Sequence, residues 1–434
     1  MALSSSTRFA LFGAGLIAIT YGLARFAFGL FVPPIRAELG LTPEVIGLIG
    51  ALPLISFVFA SFAAPTLARR LGARYTAMLS GTLGASGLLV ISQSTDATSL
   101  GIGVFACGLS TGLMMPALSG AMQAVVERSM HGRVSSIMNA GTSVGVAVAV
   151  PAVLFLADAW RLAYGSFVVL AVAGLVATWY VIPSVSRVSP SDTARPPSIT
   201  RLQWWRLGRL SVFSFLMGFV SAAYWIFAPD LVVNLGKLPP GATGLLWLAV
   251  GVAGLGGAVV ADLADRNNPA ITQALMLMML STSLALLAAA PGNVLLAGFS
   301  ALVFGLAYMS LTGLYLMTGI RLLPGRLSLG PVLPFVAVSL GQAAGSPVVG
   351  VLIDRFGYDE AFATVAAIGV VVAVLSPFYP RTLGVGKGAE GKEAEGKEAE
   401  EGPRETGLQA AYDHQLPDED DAVERAASPS GRLG

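Results

Sequence analysis

The stretch FALFGAGLIAITYGLARFAFGLFVPPIRAELG, from Phe9 to Gly40, decides the fold. It is long enough to cross a bilayer, since about 20 helical residues at 1.5 Å each span the hydrocarbon core. A diverged copy follows at a constant offset, in which Gly22, Phe31, Pro33 and Gly40 are matched by Gly218, Phe227, Pro229 and Gly236. Something has been duplicated, and only the first copy keeps an arginine, Arg25, where the second has Ser221.

The composition is that of a helical membrane protein. Hydrophobic residues make up 55% of the chain and charged residues 12%, whereas a soluble domain is about 25% charged. The apolar runs do not alternate with polar residues, so helices rather than the strands of a barrel are expected. We therefore predict an all-α membrane protein.

Hydropathy predicts twelve spanning helices in two groups of six, separated by a long polar connection. The predicted spans are 9–33, 44–66, 75–93, 99–122, 134–157, 161–182, 208–232, 242–262, 271–290, 294–320, 329–353 and 360–379. The offset between the copies persists through both groups, since Arg70 matches Arg266, Gly145 matches Gly341 and Pro151 matches Pro347. Two parallel six-helix repeats are typical of secondary transporters.

The predicted domains follow from this division. They are a first bundle over 1–183, a basic cytoplasmic linker over 184–207, a second bundle over 208–380 and a tail over 381–434. The tail holds seven Lys/Arg against 13 Asp/Glu and is of low complexity, so it is expected to be a disordered acidic segment.

The basic residues of the loops predict the orientation. Alternate loops hold 14 Lys/Arg on one side and four on the other, and the richer side is expected to be cytoplasmic. Both termini then lie in the cytoplasm, in a multi-pass protein of the cell (inner) membrane. Cys107 is the only cysteine, so no intramolecular disulfide forms.

The loop PTLARRLGAR, Pro65 to Arg74, carries a family signature. Together with the duplication it resembles the major facilitator superfamily over residues 8 to 380, whose loop reads G-x-x-x-D-R-x-G-R-R/K. The second half repeats it as ADLADRNN from Ala261. The resemblance implies a twelve-helix fold of two pseudo-symmetric bundles. It also implies a cytoplasmic latch of Arg70, Arg74, Asp265 and Arg266, although Pro65 and Arg69 depart from the motif.

Two further features concern the subfamily. The loop and the arginine in the first helix are similar to those of cyanate- and nitrate-type anion permeases. Drug antiporters of the superfamily usually carry an arginine in the fourth helix, and FACGLSTGLMMPALSGAMQ has none. The resemblance thus favours an anionic substrate over a drug.

Arg25 is the first candidate for substrate binding. It lies roughly 24 Å along its helix, past the midplane towards the outside, and an arginine at a helix centre costs about 2.5 to 3.5 kcal/mol. Its guanidinium offers five fixed donors to a carboxylate or similar oxyanion. The alternatives are snorkelling to the headgroups and a structural ion pair.

Asp230 is a candidate gating residue near the outer end of the seventh helix. If the first and seventh helices face each other, Arg25 and Asp230 could form a pair that closes the outer side. The alternative is a surface aspartate at a helix end. No carboxylate lies in the middle of a predicted span, so a buried proton relay is poorly supported.

Polar and aromatic side chains in the first, seventh and tenth helices complete the predicted substrate site. The family's central cavity is lined by helices one, four, seven and ten, which favours this set over interfacial packing. The predicted lining residues are Tyr21, Arg25, Ser221, Tyr224, Trp225, Tyr308, Thr312 and Tyr315. Asn139, Ser143 and Gln342 are expected to bond between helices.

These observations predict a secondary transporter that moves a small organic solute, expected to be anionic, by alternating access. A drug exporter of the same superfamily and a transporter-like receptor without transport are the alternatives. The partners expected are the solute and the bilayer, with a proton or counter-substrate left open, and the protein is expected to be a monomer. No Walker pattern, metal-ligand cluster or nucleophile triad appears, so neither an enzyme, a cofactor, a metal site nor nucleic-acid binding is predicted.

Overall fold

Apolar runs that end at Gly, Pro and capping residues form the helices in the computed structural model of the chain. The structure describes residues 5–127, 130–156, 158–182, 198–239, 241–256, 268–323 and 329–380, and in these ranges there is no strand. The first helix, α1, consists of Ser5–Ile17, Ala18–Phe26 and Ala27–Leu39 without a break. The others are α2 Pro43–Leu71, α3 Ala73–Gln93, α4 Ala97–Val125, α5 His131–Leu156, α6 Trp160–Val181, α7 Arg201–Asn234, α8 Gly241–Leu255, α9 Pro269–Ala289, α10 Val294–Leu322, α11 Leu329–Phe356 and α12 Tyr358–Val374.

The all-α membrane fold is confirmed. A helix lies at each of the twelve predicted positions, and ten of the helices in the described ranges are long and apolar enough to span a membrane. The other two are α8, whose described part is a shorter apolar helix, and α12. The predicted latch residues Asp265 and Arg266 and the tail from 381 lie outside the described residues.

Capping residues place the helix starts. The hydroxyl of Thr200 accepts a hydrogen bond from the backbone N–H of Gln203, and the side-chain oxygen of Gln203 accepts one from the backbone N–H of Thr200. This capping box begins α7 at Arg201, earlier than the predicted 208, because a basic and aromatic stretch can be helical without being apolar. Asp96 starts α4 in the same way, and hydrogen bonds from Ser99 lower the pKa of its carboxyl.

The middle of α1 is a π-helix over Ala18–Phe26, whose wide turns contain Tyr21 and Arg25. The hydroxyl of Thr111 in α4 donates to the Thr20 carbonyl at 2.8 Å, so a neighbouring helix helps to satisfy the altered backbone. The matching helix of the second half, α7, is α-helical throughout. π-Helical turns are frequent at functional sites, and here the departure from the α-helix coincides with Arg25.

The glycines that the two copies share are the crossing points of equivalent helices. In the first half, a Cβ on Gly22 of α1 would overlap the backbone of Gly145 in α5. In the second half, a Cβ on Gly341 of α11 would overlap the Phe215 carbonyl of α7, and Gly218 approaches Val338 in the same way. Small residues allow such close approach in membranes, so the duplication extends to packing.

Replacing Gly341 by alanine is therefore expected to destabilise the protein by about 3 kcal/mol or more, because backbone cannot yield as a side chain can. Gly298→Ala in α10 is the matched control, since no atom of the described residues lies within 4 Å of its Cβ position. That change is expected to be neutral or slightly stabilising. Thermal unfolding and size-exclusion profiles of the two variants measure the difference, and equal melting temperatures would contradict the close packing.

The two halves meet at one end of the bundle, which we call the Arg36 end. There a Cβ on Gly29 of α1 would overlap the Trp225 carbonyl of α7. A Cβ on Gly350 of α11 would lie 2.5 Å from the Pro43 carbonyl of α2. The opposite end, where α2 turns into α3 at Gly72, is called the Arg74 end.

Candidate functional site

Arg25 lies on the seam between the halves and is only 7% exposed. It borders a cavity of about 30 Å³ formed by α1, α2, α7 and α11, with Phe28, Pro53, Trp225, Gln342 and Ser346 in its wall. A buried water needs roughly 10–15 Å³ of such volume. The cavity therefore has room for only one or two waters, and in this conformation the seam is nearly closed.

The Arg25 guanidinium has unused donors. Its Nε and Nη1 atoms are buried without a hydrogen-bond partner, and no carboxylate among the described residues is paired with it. The Phe26 and Phe57 rings lie 5.2 and 4.9 Å from its Cζ atom. Cation–π contacts of this kind contribute about 0.5 to 2 kcal/mol, less than the cost of an unpaired buried charge. The site can gain by taking up an anion.

Gln342 organises the polar groups opposite Arg25. Its Nε2 donates to the Tyr308 hydroxyl at 3.1 Å and to Ser221 Oγ at 3.3 Å, which joins α11 to α10 and α7. The Tyr308 ring packs edge-on against Trp225, with centroids 5.2 Å apart. The second half thus presents a neutral polar and aromatic wall, whereas the first half presents the cation.

The structure brings Arg25, Ser221 and Tyr308 of the predicted site to this seam. Thr312 is half-buried one turn from Tyr308, and its hydroxyl donates a hydrogen bond to the Tyr308 carbonyl at 2.9 Å. Tyr21 is half-buried in the same π-helical segment as Arg25 and packs on the first half's apolar cluster.

Tyr224 and Tyr315 are not brought to the seam. The Tyr224 ring stacks on Phe304 at 3.9 Å, and its hydroxyl lies 3.3 Å from Ser300 Oγ, inside the second half. The Tyr315 hydroxyl donates to the Phe213 carbonyl at 3.5 Å, also inside the second half. Both are fully buried by helices of their own bundle.

Two residues of the seam were not predicted as site residues: Gln342 and Phe57. Gln342 was expected only to bond between helices, which it does, but in the wall of the Arg25 cavity. The repeat carried a usable signal, because Gln342 matches Val146 at the common offset. A position that is apolar in one copy and polar in the other marks where the halves differ.

The Arg36 end is held by a partly buried ion pair. Arg36 Nη1 lies 2.6 Å from Asp230 Oδ2, and the Tyr358 hydroxyl contacts both groups. Arg36 Nε donates to the Leu41 carbonyl at 2.9 Å, and Asn234 Nδ2 donates to Asp230 Oδ1 at 2.5 Å. Because Arg36 belongs to the first half and Asp230 and Tyr358 to the second, the network fastens the halves together.

The predicted pairing of Asp230 with Arg25 is wrong in this conformation, since Arg36 is the partner. Depth along the helix is the reason. Asp230 matches Pro34 in the repeat, whereas Arg25 lies nine residues earlier, which places it about 13 Å deeper. The gating role predicted for Asp230 remains a prediction.

A second network at the Arg36 end stays within the first half. Arg161 and the Trp160 indole both bond to the Glu38 carboxylate, and Arg161 Nη2 donates to the Ser94 carbonyl at 2.6 Å. It anchors the end of α1 to α6 and α3.

The described part of the predicted latch is local. Arg74 Nε donates to the Ile182 carbonyl at 2.5 Å, and its guanidinium lies 5.3 Å from the Trp179 ring, both in the first half. Arg70 is exposed. With Asp265 and Arg266 outside the described ranges, the latch stays a prediction. Within those ranges there is no group of three or more His, Cys, Asp or Glu that could hold a metal.

Comparison with known proteins places this geometry in a family. The profile of the Major Facilitator Superfamily matches residues 14–328. The chain is 25% identical, over 85% of its own length and 94% of the relative's, to a Pseudomonas aeruginosa protein named transcription regulatory protein OpdE.

Solved structures share the fold at low identity. The nucleoside transporter NupG has a TM-score of 0.71 at 13% identity, covering 87% of this chain and 99% of its own. A bacterial homolog of the human lysosomal transporter Spinster, described as inward-facing and occupied, has a TM-score of 0.72 at 12% identity, covering 88% and 98%. A POT family transporter bound to a thioalcohol-conjugated peptide has 0.72 at 12%, covering 86% and 96%.

Proposed function

The chain belongs to the Major Facilitator Superfamily, and we propose that it is a secondary transporter that moves a small organic anion by alternating access. The cargo would bind between Arg25 of the first half and the Ser221, Tyr308 and Gln342 wall of the second. The family and the fold support transport; the anionic class rests on the site.

One observation carries the anionic class: a buried guanidinium with two unused donors on the seam. A neutral solute would leave that charge uncompensated, whereas a carboxylate or similar oxyanion would take a bidentate hydrogen bond from it. The aromatic and amide groups opposite suit the organic part of the cargo.

The closed Arg36 end fits one state of such a cycle. The richer share of Lys and Arg lies in the loops of the Arg74 end, so we assign that end and both termini to the cytoplasm of a cell membrane. The Arg36 end is then external, and the Arg36–Asp230–Tyr358 network is its gate. The two predicted bundles, 1–183 and 208–380, are the rigid bodies that would rock, and the protein would act as a monomer.

Uptake into proteoliposomes tests the proposal. A panel of small organic carboxylates is compared with the matching carboxamides, in the parent and in Arg25→Gln. We expect the parent to prefer carboxylates by about tenfold or more, because removing a charge-assisted hydrogen bond costs about 1.5 to 3 kcal/mol. The preference should disappear in Arg25→Gln.

Two other results would each point elsewhere. Transport of amphipathic neutral or cationic compounds that survives Arg25→Gln would support the drug-exporter alternative. Saturable ligand binding without any flux would support a transporter-like receptor. That second candidate is favoured by one observation, the regulatory name of the relative OpdE, and proteoliposomes separate it from a carrier because a receptor gives no uptake at any ligand concentration.

A further inference from the structure

An open groove runs along the outside of the second half at the Arg74 end. Its volume is about 690 Å³, and it lies between the first turns of α7 and the residues that follow α12. Val212, Phe213, Leu216, Leu375 and Phe378 form its apolar wall. Phe378 and Val212 are more than half exposed. The groove is well separated in the fold from the Arg25 seam.

Gly208 contributes to the groove by having no side chain. It lies well inside α7, where glycine is a poor helix former, and within the part of the chain that the structure describes no atom approaches within 4 Å of its Cβ position. The close helix crossings that explain Gly218 and Gly341 are thus missing at Gly208. Because Gly208 has no side chain, the groove is open at this position.

The rim of the groove is cationic and aromatic. Arg201 and Arg209 lie along it with Trp204 and Trp205, and the Arg209 guanidinium lies 4.7 Å from the Trp205 ring. From Ser198 to Pro229 the sequence contains three arginines and no acidic residue. Exposed tryptophans are enriched at the level of the lipid headgroups. The apolar wall therefore begins at the headgroups and extends towards the hydrocarbon.

We propose that this groove binds one diacyl phospholipid with an anionic headgroup. Its acyl chain would lie on the apolar wall over Gly208, and its phosphate would meet Arg201 and Arg209. The positive charge of the rim favours an anionic headgroup, and the apolar wall favours a ligand that carries an acyl chain. The site does not depend on Arg25, so it stands or falls separately from the proposed transport.

Native mass spectrometry of the detergent-purified protein with added dioleoyl phosphatidylglycerol or dioleoyl phosphatidylcholine tests the site. Each Lys or Arg near an anionic surface strengthens binding roughly fivefold. We therefore expect the parent to bind phosphatidylglycerol about 20-fold more tightly than phosphatidylcholine. The double variant Arg201→Gln/Arg209→Gln should bind the two lipids about equally. Glycerol phosphate, which lacks the acyl chains, should not compete.

Gly208→Leu tests the shape of the groove with both arginines in place. The added side chain meets no atom of the described residues near its Cβ, so the variant should fold normally, yet the leucine fills the place of the acyl chain. Its binding of phosphatidylglycerol should fall by about the same factor as in the double variant. Arg8→Gln/Arg69→Gln, which removes two exposed arginines at the same end, should keep the preference of the parent.

Several results would overturn the proposal. These are an equal affinity of the parent for both lipids, a preference that survives the change at Arg201 and Arg209, and a loss that is as large in the Arg8/Arg69 control. Unchanged binding in Gly208→Leu would place the lipid elsewhere. A rise in lipid binding on removal of residues 383–434 would make the acidic tail the occupant instead.

Discussion

Replacing Arg25 by methionine is expected to make the protein more stable and to abolish its transport. The guanidinium is 7% exposed, and among the described residues its Nε and Nη1 have no hydrogen-bond partner, so it is an uncompensated buried charge. Replacing a buried ion pair by apolar side chains of similar volume is often neutral or stabilising by 1–4 kcal/mol, and for this single unpaired charge we expect about 1–2 kcal/mol. Uptake of the anionic cargo should fall by about 100-fold or more, since the lost charge-assisted hydrogen bonds are worth about 3 kcal/mol.

Thermal unfolding and proteoliposome uptake of the same preparations measure the two effects together. Arg25→Lys is the matched control, because it keeps the charge but loses the planar fork, and it should show intermediate uptake without the gain in stability. A fall in melting temperature with Arg25→Met, at unchanged uptake, would mean that the guanidinium is a structural element held by Phe26 and Phe57.

Replacing Arg36 by alanine is expected to open the Arg36 end. Asp230 is fully buried, and Arg36 is 23% exposed. Breaking a buried pair by removing one partner costs about 3–5 kcal/mol; because Arg36 is partly solvated, we expect about 2–3 kcal/mol against the closed state. That free energy lowers the closed-to-open ratio by roughly 30- to 150-fold.

Spin-label distances measure the opening. Glu44 and Lys237 are exposed at the Arg36 end of opposite halves, and labels on cysteines placed there, in a Cys107→Ser background, should move apart in Arg36→Ala. The control is Arg161→Ala, which breaks the Glu38 pair within the first half only, and it should leave the distance unchanged.

A double variant makes the assignment specific. Arg36→Ala/Asp230→Asn also removes the carboxylate that needs a partner. Its spin-label distance should therefore be closer to that of the parent than the distance in Arg36→Ala is. If the double variant opens as far as the single one, the ion pair is not what holds this end closed.

The sequence predicts the helices well because span length and hydropathy are local properties. The start of α7 was missed because the residues from Arg201 are helical but not apolar, and only the Thr200 capping box places the start. The π-helix in α1 carries no such local signal, since it depends on packing against Gly145 and on the Thr111 hydroxyl.

Site residues whose burial in a membrane is energetically unfavourable could be predicted from the sequence, whereas common aromatic and polar side chains could not be assigned to the site reliably. Arg25 stands out because a charged side chain in a membrane span is unfavourable unless it has a partner, water or a ligand. Tyr308 and Tyr315 share one helical face, but they are about 10 Å apart along the axis, and only Tyr308 lies at the depth of the seam. Asp230 does not pair with Arg25 because the two residues lie at different depths along facing helices. The repeat already indicates this difference, since Asp230 matches Pro34, which lies nine residues after Arg25.

The lone charge of Arg25 gives the proposed cycle an electrical polarity. With a monovalent anion bound, the site is neutral, and the membrane voltage does no work on it as the bundles rock. Without the anion, the same movement carries an uncompensated positive charge through part of the field, where a full crossing is worth about 2.3 kcal/mol per 100 mV. The voltage would then act on the return of the empty carrier and leave the loaded step untouched, so the resting potential would set the side on which the vacant site waits.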